Sequence, residues 1–61
     1  MKETRVYVIN VDEIEGDYLE LTNDEFIEEA ENQGTVYTID NFVIAFNNED
    51  INTFTQVIRI L

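Results

Sequence analysis

The hydrophobic and polar positions change rhythm along this chain, and each change marks an element. From Thr4 to Val11, TRVYVINV, β-branched and aromatic residues dominate, which predicts a strand. Val6 and Val8 point one way while Tyr7, Ile9 and Val11 point the other. Both faces are therefore largely apolar, the mark of a central strand or of one covered on both sides. Asp12 to Asp17, DEIEGD, is a charged connection with Gly16 available for a turn, and Tyr18 to Glu20 reads as a short strand or extended chain.

Beyond that point the period lengthens, and one phrase occurs twice: LTNDEFIEEA at Leu21 to Ala30 and YTIDNFVIAF at Tyr37 to Phe46. In the first copy Thr22 is an N-cap, Glu25 completes a capping box, and Leu21 can pack on Phe26 as a hydrophobic staple. Phe26, Ile27 and Ala30 form the apolar stripe, and Gly34 is placed to end the helix. In the second copy Thr38 takes the cap, Asn41 the third helical position, and Tyr37 with Phe42 the staple. Phe42, Val43 and Phe46 repeat the stripe, and this helix is apolar nearly all round, which predicts the deeper burial of the two. The repetition is what two capped amphipathic helices look like, rather than a solenoid of short period.

Thr35 to Tyr37 is extended and can add a short strand, Asn47 to Asn52 is a polar turn, and Thr53 to Leu61 reads as the last strand. In that strand Phe54, Ile58 and Ile60 share one face, and Thr55, Val57, Arg59 and Leu61 the other. The pattern specifies one α+β domain over residues 1–61. It is a small two-layer β-α-(β)-α-β unit with two helices on one face of a sheet built mainly from the first and last strands. Val6, Val8, Phe26, Ile27, Phe42, Phe46, Ile58 and Ile60 are the expected core. Tyr7, Ile9, Val11, Val57 and Leu61 would then lie on the uncovered face, a candidate homodimer surface.

Composition narrows the chemistry. The chain has 14 acidic residues against Lys2, Arg5 and Arg59, a formal net charge of -11. Leu, Ile, Val and Phe still make up about a third of it, above the roughly 20% below which disorder is expected. A basic footprint for nucleic acid or anionic membrane is missing. No apolar run reaches the ~18 residues of a membrane span, and the N-terminus lacks a signal-peptide core, so a cytoplasmic location is the expectation. With no His, Cys or Ser and one lysine, nucleophilic and acid–base chemistry lose their commonest carriers, and no enzyme, cofactor or metal is expected. DEIEGD fails as an EF-hand loop: with Gly16 at position six, the first ligand position falls on Val11.

What stands out is the first helix. Asp24 and Glu25 suit its N-terminus, but Glu28, Glu29 and Glu31 lie where the helix dipole disfavours them, and no lysine is in place to pair with them. Asp24, Glu25, Glu28, Glu29 and Glu31 are therefore the candidate partner-binding residues. The expected function is a non-enzymatic acidic interaction module that takes a basic protein. The alternatives are a DNA mimic that occupies a nucleic-acid-binding protein, or a homodimeric structural module.

The chain also resembles short proteins of gut Bacteroidales to which no activity is assigned. The resemblance rests on Leu21, Thr22, Phe26, Tyr37, Thr38, Phe42, Phe46, Asn47, Ile58 and Arg59, which are cap, staple, core and last-strand positions. It implies the same fold and carries no activity. Small size, acidity and the early V-Y-V strand give a fainter similarity to acidic antirestriction proteins that imitate DNA.

Overall fold

The computed structural model describes residues 3–48, 51 and 55–61. Strand β1 (Arg5–Asn10) leads through two short 3-10 turns (Val11–Glu13 and Tyr18–Glu20) into helix α1 (Asn23–Gln33). Strand β2 (Val36–Thr38), helix α2 (Ile39–Asn47) and strand β3 (Gln56–Ile60) follow. The three strands form one antiparallel sheet in the order β2-β1-β3. The α+β class and the order of elements are those expected from the pattern. Tyr18–Glu20 winds into a 3-10 turn instead of extending, because the Asp17 carboxylate accepts the Leu19 N–H at 2.9 Å and caps it. Of the expected polar turn and last strand, residues 49, 50 and 52–54, Phe54 among them, lie outside the described residues.

Register decides the layers. Val6 opposes Tyr37 and Ile60, and Val8 opposes Ile58, so these side chains share one face. Tyr7 opposes Val36 and Arg59, and Ile9 opposes Val57, on the other face. Phe42 and Ala45 of α2 pack with Val6, Val8, Tyr37, Ile51 and Ile58. Phe26 and Ala30 of α1 pack with Ile9, Tyr7, Val36 and Val57, joined by Ile14, Tyr18 and Leu21 from the preceding connection. The helices therefore cover opposite faces of the sheet, which corrects the expectation of two helices on one face. The physical reason is β1 itself: with apolar residues at every position from Val6 to Ile9, it has two faces to remove from water.

The core shifts accordingly. Val6, Val8, Ile9, Phe26, Ala30 and Ile51 are the buried residues. Phe42 and Ile58 pack against them half-buried, and Ile27 is also half-buried. Phe46 and Ile60, expected inside, are 45% and 58% exposed. The expectation that α2 is the more deeply buried helix is also reversed. α1 buries Phe26 and Ala30 completely, whereas α2 contains no fully buried residue and exposes Val43 (49%) and Ile44 (59%). A nine-residue helix lying over β2 and β1 has too little sheet beneath it to cover its whole circumference.

Both helices start by the device that the repeated phrase encodes. The Thr22 side chain accepts the Glu25 N–H (3.3 Å) and the Glu25 carboxylate accepts the Thr22 N–H (3.1 Å), a complete capping box. Thr38 accepts the Asn41 N–H (3.3 Å) without a reciprocal bond, while Tyr37 meets Phe42 edge-on at 6.2 Å as the staple. α1 ends at Gly34, whose φ of 72° is left-handed. There Gly34 N–H bonds Glu31 O and Thr35 N–H bonds Ala30 O, a Schellman closure. Thr35 then joins the central strand, accepting the Val8 N–H through its backbone oxygen at 3.0 Å and donating its hydroxyl to Val8 O.

The two starts differ only in the reciprocal bond, so stability should track it. Thr22→Ala should lower unfolding free energy by about 1 kcal/mol. Asn41→Glu, which supplies the missing half of the second box on an exposed first turn, should raise it by about 0.5 kcal/mol. Urea midpoints measure both. A destabilising Asn41→Glu would show that the second start is limited by something other than its cap.

Candidate functional site

The connection from Val11 to Leu21 folds back under α1, since Ile14, Tyr18 and Leu21 pack into the cluster around Phe26. That brings ten of the 14 acidic residues, Asp12 to Glu31, into one layer on the α1 side of the sheet. All of them are exposed except the half-buried Glu29. Within α1 they divide. Asp24, Glu28 and Glu31 follow at four and three residues, one exposed row along the helix. Glu25 is committed to the capping box. Glu29 accepts from Gln33 Nε2 at 3.2 Å. The five residues expected to act together are thus three outward carboxylates and two with structural partners.

Gln33 was not singled out by sequence reasoning, and its role depends on distant backbone. Its Oε1 accepts the Asn10 N–H at 2.8 Å and its Nε2 donates to Asn10 O at 3.4 Å, so one amide satisfies both backbone groups at the end of β1. The Asn10 side chain in turn caps the first 3-10 turn by accepting the Asp12 N–H at 3.0 Å.

Arg59 is the cation that meets the start of α1. Its guanidinium lies 4.5 Å from the centre of the Phe26 ring and donates to Asn23 Oδ1 (2.9 Å) and Leu21 O (3.4 Å). It ties β3 to the start of α1 through an amide, a carbonyl and a ring, with no carboxylate partner among the described residues. Among the described residues the ion pair present is Arg5 with Glu3 at 3.7 Å, both exposed and worth little. The acidic row has no cation opposite it within the described fold.

The candidate dimer face is largely occupied. Ile9 is fully buried, Tyr7 and Val57 pack against α1, and Val11 is half-buried at the start of a 3-10 turn; Leu61 is 43% exposed. α1 covers Tyr7, Ile9 and Val57, so the set is not the continuous free apolar surface that was expected. Among the described residues no group of three or more His, Cys, Asp or Glu is placed to hold a metal ion, and no helix is long and apolar enough to cross a membrane. Comparison with protein-family models, curated proteins and solved structures finds no match for this chain.

Two outcomes follow from this geometry. The bonds from the Thr22 backbone and hydroxyl hold the Glu25 carboxyl below its ordinary value. A depressed folded value means the box contributes fully above the unfolded carboxylate range and is lost as pH falls through the folded one. The stability gap between the wild type and Glu25→Ala should therefore narrow on acidification; a gap independent of pH would contradict the assignment. Arg59→Ala should cost about 1–2 kcal/mol and Arg59→Lys less, since lysine keeps the charge over Phe26 but not the fork of donors. Equal losses in thermal or urea unfolding would assign the effect to the packed stem instead.

Proposed function

We propose that this protein works by binding a basic protein segment along the outer surface of α1. The observation that supports the reading is the sorting of its carboxylates. Asp24, Glu28 and Glu31 stand in one exposed row, whereas Glu25 and Glu29 have partners inside the fold. The row spans about 10 Å along the helix axis. Like charges four apart disfavour the free helix by a few tenths of a kcal/mol, a cost that a lysine- or arginine-bearing partner turns into a gain. The surrounding exposed Asp12, Glu13, Glu15, Asp17 and Glu20 extend the negative field and favour fast, salt-sensitive encounter. A partner that itself binds nucleic acid is a special case, in which the row stands where phosphates would.

Fluorescence anisotropy with a labelled lysine- and arginine-rich peptide of about ten residues tests the reading, the length being set by the span of the row. Binding at low salt should weaken steeply as salt is added. Asp24→Asn, Glu28→Gln and Glu31→Gln together should weaken it about tenfold or more, while Asp40→Asn on α2 leaves it unchanged. Absence of binding at low salt, or equal binding by the triple variant, refutes the reading. Competition by the protein for a basic DNA-binding domain already on duplex DNA identifies the special case.

A further inference from the structure

Strand β3 lies at an edge of the sheet. Arg5 and Leu61 exchange both backbone bonds (3.0 and 3.3 Å), and Val11 N–H reaches Thr55 O at 3.0 Å. Alternation along the antiparallel ladder then turns the N–H and C=O of Gln56, Ile58 and Ile60 away from β1. Among the described residues no strand lies on that side. Edges are normally blunted by shortness, proline, or charge. β2, the opposite edge, is three residues long and runs directly into a helix. β3 has five residues, QVIRI, with no proline and one charge, and that charge is turned onto α1.

We infer that β3 pairs antiparallel with β3 of a second copy, joining two sheets into one of six strands. Charge selects this occupant. Residues 55–61 contain no acidic residue in a chain of net charge -11, so two copies that meet along this edge set no carboxylates of their β3 strands against each other. A basic partner finds no anion here, and an acidic one finds only a guanidinium that already has partners. The register follows from the same groups. Centring the two-fold axis on Ile58 pairs Gln56 with Ile60 of the other copy and makes about six hydrogen bonds. Centring on Arg59 would make about four and set two arginines directly opposite. The first register also brings Ile58 and Ile60 of both copies together on the α2 side, covering part of the exposed Ile60. On the other side the two α1 helices lie on one face, about three strand spacings or ~14 Å apart. Their mutual repulsion means that salt should tighten the dimer, the opposite of its effect on a basic partner.

Sedimentation equilibrium on the full chain, at rising concentration in low salt and in about 0.5 M NaCl, reads this directly. A dimer mass that strengthens with salt is expected. Ile60→Pro removes an N–H that faces away from β1, so it should leave the circular dichroism unchanged and weaken the dimer about tenfold or more. If that variant unfolds, Ile58→Cys decides. The chain has no other cysteine, and residues facing each other across the axis at a Cα separation of ~5.5 Å can form a disulfide under mild oxidation. Leu19→Cys, on the α1 side of the sheet and 71% exposed, should stay uncrosslinked. A monomer mass throughout, a dimer indifferent to Ile60→Pro in a folded variant, or equal cross-linking of the two cysteine variants overturns the inference.

Discussion

A central strand with apolar residues on both faces can persist in water only if each face is covered, and this chain has two helices with which to cover them. Ile9 and Val8 are adjacent in sequence, point in opposite directions and are both buried. Neither helix can be removed without exposing one of them. Burying a side chain of this size is worth about 1.5–3 kcal/mol, a large share of the stability of a domain near 60 residues. The three-layer arrangement is thus the minimum that satisfies β1.

The two covers are unequal, and the difference organises the surface. α1 places Phe26 and Ala30 fully inside and keeps its carboxylates outside, so its amphipathic division matches the sheet it covers. α2 is more apolar than the sheet beneath it requires, and Val43, Ile44 and Phe46 remain exposed. One side of the protein is consequently crowded with anions. On the other, α2 carries Asp40 as its one charged residue. Net charge keeps copies of a protein apart, and here it can do so over only part of the surface.

What could be read from the chain was whatever is decided within about five residues. The Thr22–Glu25 box, the Thr38 cap, the Tyr37–Phe42 staple and the glycine stop at Gly34 are local contacts between fixed positions, and all of them are formed. The assignment of helices to faces was not legible, because it depends on how the connections cross the sheet. Strand periodicity already contained a warning, since Val6–Ile9 offered two apolar faces and a single covered face left one in water. Burial of α2 was misread for a related reason: hydrophobicity states what a helix could bury, not how much surface it meets. Of the candidate site, the row Asp24, Glu28 and Glu31 was legible from helical spacing. The bonds of Gln33 with Asn10 and of Arg59 with Leu21 and Asn23 join residues 23 to 38 positions apart and leave no trace in local pattern.

Arg59 also separates structural acidity from the remainder. Its guanidinium sits against Asn23 and the Leu21 carbonyl at the start of α1, the end where the helix dipole is positive and a cation is disfavoured. The Phe26 ring face offsets that placement, and the same helix end favours the first-turn carboxylates Asp24 and Glu25. Acidity at the start of α1 therefore has a reason inside the fold, as it does at Asp17, which caps a turn, and at Glu29. Among the described residues no such reason exists for Glu28 and Glu31. They lie in the second half of the helix, exposed, with no basic residue in its last turn. The fold does not use these two carboxylates and the helix dipole opposes them, so the acidity that α1 carries beyond its structural needs is centred on its C-terminal half.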